Sequence, residues 1–166
     1  VPDNKEMIVY TQADNEQPTL NFSLYMKHNA EPRGARATRE AFLGSYKSKL
    51  AMFILRQRLA QLSHEAQPRV MSASCRAGSF YVTTEKDAFA LNLGLMPNNP
   101  QAGIDAAIEV MEKARRYGFT EAELEHAKVQ HTVNIEHRLD NKNKTRNAEY
   151  AKNIVSNFCG DEPCMN

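Results

Sequence analysis

The sequence predicts an α+β fold in which a mostly antiparallel sheet is covered by helices, on three observations. "TLNFSLYMK" and "AFALNLGLM" alternate apolar and polar residues with the period of a half-buried strand. Between them, "EAFLGSYKSKLAMFILRQRLAQLSHEA" repeats its apolar residues at helical spacing. From Gln101 onward only helical patterns follow. Two strands, a long helix, two or three strands and then helices make a sheet layer with covering helices.

Taken in order, "VPDNKEMIVY" has no initiating Met, basic leader or apolar leader segment, so it reads as an excised piece or mature fragment whose targeting information would lie upstream. "EMIVYTQA" is expected to be a short strand. In "TLNFSLYMK", Leu20, Phe22, Leu24 and Met26 should face inward, with Asn21, Ser23, Tyr25 and Lys27 on the other face. Pro32 and Gly34 place "NAEPRGARATR" in a loop. A helix from about Arg39 to His64 then carries Phe42, Leu43, Tyr46, Leu50, Phe53, Ile54, Leu59 and Leu62 at helical spacing, and its middle, "LAMFIL", is apolar nearly all round. Such a helix lies deep in a fold or between domains.

"RVMSASCRAGSFYVTTE" reads as one or two strands, and "AFALNLGLM" as another with Phe89, Leu91, Leu93 and Leu95 inward. After "PNNP", "QAGIDAAIEVMEKARRYG" puts Ile104, Ala107, Ile108, Met111 and Ala114 on one stripe. Gly118 suits the end of that helix, and Thr120 with Glu123 forms a capping box for the next. "TRNAEYAKNIVSNF" is a last helix with Tyr150, Ala151, Ile154, Val155 and Phe158 on its stripe.

Composition narrows the function. The 166 residues are 42% hydrophobic and 25% charged, ordinary for a globular domain with a real core. A net charge of +1 argues against a nucleic-acid binder that works by neutralising phosphates, and Arg33, Arg36 and Arg39 are read as the flank of a loop and a solvated helix start. No apolar run is long enough to span a membrane. Of three cysteines, Cys159 and Cys164 bracket "GDEP" and suit either a small disulfide loop in an oxidising compartment or free thiols; Cys75 makes the count odd.

"GFTEAELEHAKVQHTVNIEH" raises a sharper question, because it holds three histidines and four glutamates. A helical zinc motif needs histidines on adjacent turns of one face. His126 and His131 are instead five residues apart, which turns them roughly 140° from each other. His131 and His137 are six apart, and His126 and His137 share a face but lie roughly 16 Å apart along it. No pair can chelate one ion. The stretch reads as a structural helix whose stripe is Leu124, Ala127, Lys128, His131, Ile135, Arg138 and Leu139. Glu85, Lys86 and Asp87 in "TTEKDAF", and His28 beside Asn29, lack the spacing logic of acid–base catalysis, and a charged turn explains "TEKD".

An ordered set of stretches then carries a resemblance: "TLNFSLYMKH", "LAMFILRQRLAQL", "GSFYVTTEKDAFALNLGL" and above all "AIEVMEKARRYGFTEAELEHAK". Together the four, covering nearly the whole chain, resemble a later, non-catalytic domain of the pitrilysin and insulinase zinc metallopeptidases, whose repeated α/β domains are of the LuxS and mitochondrial-processing-peptidase type. The family's catalytic string is His-x-x-Glu-His. "HTVNIEH" does not match it, so the resemblance implies zinc held by another domain and none here. The family also has an arginine and a tyrosine seven residues apart that bind substrate backbone. The matching positions here are His64 and Met71, so the resemblance implies neither the metal domain nor the arginine–tyrosine domain but the second domain of a longer protease.

It further implies one domain over residues 1–166, other domains of the same polypeptide and a peptide substrate as partners, and an exported, periplasmic setting in bacteria. The expected role is wall surface of a chamber that encloses peptides. The alternative is a structural subunit of the same fold with no proteolytic role, and an inverted zinc motif upstream of Val1 discriminates between the two.

Overall fold

The computed structural model describes residues 3–81, 83, 85–144 and 146–160. Its elements are β1 (Leu20–Asn29), α1 (Arg33–Arg36), α2 (Arg39–Gln61), β2 (Val70–Ser79), β3 (Lys86–Leu95), α3 (Pro100–Tyr117), α4 (Glu121–Asp140), a 3-10 turn (Lys142–Lys144) and α5 (Asn147–Gly160). This is the α+β class read from the sequence. The chain divides into two compact units, Val1–Ala30 with Leu55–Gly118 and Glu31–Ile54 with Phe119–Asn166, and α2 runs from the second into the first.

The first unit holds the sheet, in the order β1-β3-β2 with both pairings antiparallel. β3 is central because it is the strand that can be covered on both faces. Leu91, Leu93 and Leu95 form one buried row, and the other row is small enough, at Ala88, Ala90 and Gly94, to lie beneath its neighbours. Phe89, expected inward with the leucines, is only half-buried. As an edge strand, β1 covers less than its alternation suggested: Phe22 and Leu24 are half-buried while Leu20 and Met26 are exposed. "EMIVYTQA" forms no strand, and Met7, Ile8, Val9 and Tyr10 are exposed. Its β-propensity finds no ladder, and an unpaired strand has no stability of its own. A bulge between Val70 and Ser72 interrupts β2 at Met71.

Leu55, Leu59 and Leu62 at the end of α2 join this unit's core, Leu59 with no exposure at all, and Arg56 Nε donates to the Cys75 carbonyl at 2.8 Å. α2 stops at Gln61, short of His64, in a tight turn closed by amides of Leu62, Ser63 and His64. α3 starts at the Asn99 cap, whose side chain accepts from the Ala102 amide at 3.3 Å, with Pro100 in its first turn. It ends at Gly118, whose φ of 69° favours glycine. α3 buries Gly103, Ala106 and Ala107, whereas Ile108, placed on the stripe from spacing, is exposed. Contact falls on the small residues because the helix approaches so closely that a Cβ on Gly103 would lie 2.8 Å from the Arg69 carbonyl oxygen.

The second unit is helical. Leu50, Ile54 and Ala127 form its core, with Tyr46, Phe53 and Phe119 packed against them. The capping box of α4 forms as read: the Glu123 amide donates to Thr120 Oγ1 at 3.3 Å and the Thr120 amide to Glu123 Oε2 at 2.7 Å. Phe42 and Leu43, early in α2, are exposed. So are Tyr150, Ile154, Val155 and Phe158 of α5, the last at 86%.

Candidate functional site

Each histidine of α4 is engaged separately. The His126 ring lies 6.0 Å from that of Phe53 and the His131 ring packs edge-on against Tyr46 at 5.1 Å, so both serve the helical core. His137 Nδ1 is 2.9 Å from Asn141 Nδ2 at the helix end. Among the described residues no group of three or more His, Cys, Asp or Glu side chains is arranged to hold a metal ion. Spaced five and six residues apart along one helix, these histidines do not fit zinc. His64 is exposed in the turn after α2, and Met71 is exposed at the β2 bulge; a guanidinium and a phenol are absent from both positions. Cys75 is buried in β2, and burial pushes its thiol pKa up, as for an inert core cysteine. Cys159 is exposed near the end of α5, and its candidate partner Cys164 lies outside the described residues.

The structure does bring functional groups together at one end of the sheet, where β1 and β2 finish and β3 begins. Register sets Tyr25 and Arg76 opposite Ala90 and Lys27 opposite Ala88, so these side chains alternate onto the face away from Leu91 and Leu93. Phe80 and Tyr81 follow β2 directly. The Tyr25 and Phe80 rings meet edge to face at 5.9 Å, Phe80 and Tyr81 at 4.8 Å, and Tyr25 and Tyr81 at 6.0 Å. Lys27 Nζ stands 5.7 Å from the Phe80 ring centre.

Tyr81 is 66% exposed and adopts a φ of 54°, the one non-glycine residue with positive φ among those described. For a side chain with a Cβ that conformation costs about 1–2 kcal/mol, so the surrounding chain holds it there. A hydrogen bond with Tyr25 raises the Tyr81 pKa, and the nearby Arg76 charge opposes the rise. The Phe80 amide donates to the Lys86 carbonyl at 2.9 Å and the Ala30 amide to the Glu85 carbonyl at 3.0 Å, which tie both neighbouring strands to the start of β3.

Of the charged turn "TEKD", Lys86 is buried at 7% exposure, and its Nζ donates to Asp3 Oδ1 at 2.7 Å and Asn29 Oδ1 at 2.6 Å. The hydrogen bond from Lys86, then its charge, holds the Asp3 carboxyl below the usual carboxylate range. Asp87 pairs in register with His28, and the His28 ring sits 2.9 Å from the Asn29 carbonyl oxygen. Glu85 lies in the bend before β3, its amide donating to Thr83 Oγ1 at 3.2 Å. Lys86 is thus partnered within the sheet end. Sequence reasoning missed the aromatic shelf. Its signal was present in the polar face of "TLNFSLYMK" and in "SFY", but only register shows that they meet.

The fold, with its helix-covered antiparallel sheet, is similar to that of part of a periplasmic protease. The chain is similar to the first half of the periplasmic protease PqqL from Escherichia coli, with a TM-score of 0.77 at 14% identity over 92% of this chain and 32% of that one. It is similar also to part of full-length PqqL, with a TM-score of 0.79 at 13% identity over 92% of this chain and 16% of that one. The chain therefore spans about a third of the half-protein and about a sixth of the whole. No protein-family description and no curated protein matches it.

Proposed function

We propose that residues 1–166 are a non-catalytic domain of a zinc-dependent endopeptidase of the pitrilysin and insulinase family, a domain that forms wall surface of a peptide-enclosing chamber. The observation that carries this is the shared fold over 92% of the chain with a protease several times its length. The residues agree with a supporting role, since no His-x-x-Glu-His string occurs and the α4 histidines are taken up by Tyr46, Phe53 and Asn141. Zinc belongs to another domain of the same polypeptide in this reading, and the periplasm or another exported setting is its compartment.

The test is the encoding reading frame and its product. An inverted zinc motif upstream, with chelator-sensitive cleavage of unstructured peptides by the full-length protein and none by the 166-residue chain, is the expected result. Chelator-sensitive cleavage by the chain alone overturns it. A full-length protein with no such motif and no cleavage points to a scaffold subunit instead.

A further inference from the structure

We propose that the solvent face of the β1-β3-β2 sheet binds an acidic, extended polypeptide segment, with aromatic or apolar groups against Tyr25, Phe80 and Tyr81 and carboxylates beside Lys27 and Arg76. Three edge-to-face and tilted rings, with Tyr25 and Tyr81 exposed, present a rigid contact surface of the kind that tyrosines supply at interfaces. Charge sets the class of partner. The three strands contribute Lys27, Lys86 and Arg76 to this face and no carboxylate; its other strand positions are small or uncharged polar residues, apart from Tyr25. Asp87 alternates onto the opposite face, Glu85 lies in the bend before β3, and Asp3, which reaches this end, is held by Lys86 with Lys27 acting on it as well. Arg76 is exposed on β2 near the Tyr81 hydroxyl, at the edge of the shelf.

A single-stranded nucleic acid also stacks on aromatics, but it brings a phosphate with every nucleotide, and a chain of net charge +1 with two cations at the shelf matches scattered carboxylates better. That the segment is substrate rests on the peptide-chamber reading; that it binds does not.

Fluorescence anisotropy of the 166-residue chain with labelled peptides of about twelve residues tests the surface. The probes are a Glu- and Tyr-containing peptide, the same peptide with Gln for Glu, a Lys counterpart, and an oligothymidylate of equal length. The acidic peptide is expected to bind about tenfold or more tightly than its Gln version and to weaken in about 0.5 M salt. Arg76→Gln and Tyr81→Ala should each weaken it about fivefold or more with the circular dichroism unchanged. Lys47→Glu, at an exposed α2 residue that belongs to the other unit, should leave it unaltered.

Equal binding of acidic and Gln peptides, no binding of either, tighter binding of the oligothymidylate, or as large a loss from Lys47→Glu as from Arg76→Gln overturns the proposal. Should Tyr81→Ala unfold the chain, Arg76→Gln decides alone. Cleavage of the acidic peptide by the full-length protein is scored separately. Binding without cleavage leaves this surface standing and removes the protease reading, and cleavage without binding by the chain does the reverse.

Discussion

Glu112 on α3 accepts from Arg115 Nε and one terminal guanidinium nitrogen, each at 2.9 Å, and from Arg116 Nε at 3.0 Å. Those hydrogen bonds, from Arg115 first and Arg116 second, bring its pKa from 4.5 down to about 2. A carboxylate depressed in the folded state adds stability above its unfolded pKa. That contribution fades as pH falls from about 4.5 through about 2. NMR titration is expected to show Glu112 ionising near that lower value and returning toward the ordinary range in an Arg115→Gln, Arg116→Gln variant. Because both arginines are exposed and Glu112 is only half-buried, thermal stability should barely change. Packing residues behave differently. Leu59→Ala should cost about 2–5 kcal/mol, as for a fully buried leucine. Phe53, in the apolar "LAMFIL" of α2, is half-buried beside Leu50 and Ile54, so Phe53→Ala should cost less than Leu59→Ala. His131→Gln, which forfeits its edge-on contact with Tyr46, should cost about 1 kcal/mol or below. Urea melts rank the three, and His131→Gln as the most damaging would mean that α4 does more than pack.

Two glycines in helices make a matched test at the level of elements. Gly44, within α2, has open space around its missing Cβ, so Gly44→Ala should stabilise by roughly 0.5–1 kcal/mol through helix propensity. At Gly103 the same change meets the Arg69 carbonyl oxygen at 2.8 Å, Leu95 Cδ2 at 2.9 Å and Val70 Cγ1 at 3.0 Å. Backbone is the hardest of these to move, so Gly103→Ala should destabilise by about 1–3 kcal/mol despite the propensity gain. Thermal denaturation of both variants checks the opposite signs. Helix limits were legible because caps are local chemistry: Thr120 with Glu123 is readable in four residues of sequence. Which face a helix buries was less so. Periodicity could not distinguish an α3 stripe centred on Ile108 from one centred on Gly103, since the distance of approach is set by Leu95 and Val70 across the interface. "EMIVYTQA" failed for the same reason, as strand propensity is local and a ladder partner is not.

At the scale of the whole chain, protection should be uneven. Amides from Leu50 to Leu59 in α2 and along β3 should exchange most slowly, and those of α5, whose Ile154, Val155 and Phe158 are exposed, orders of magnitude faster. Hydrogen exchange read by mass spectrometry is the measurement, and α5 protected as well as α2 would contradict it. The sheet-end shelf was illegible for a related reason: Tyr25 and Tyr81 are 56 positions apart, and only the pairing of Tyr25 and Arg76 with Ala90 brings them to one place. That pairing scheme also governs synthesis. β1 and β2 each bond to β3 and not to one another. A growing polypeptide that has emerged only as far as residue 85 therefore carries two strands with nothing to join them. Ribosome-stalled nascent chains should stay protease-sensitive through β1, α2 and β2 and become resistant within the few residues that release Leu95 from the exit tunnel.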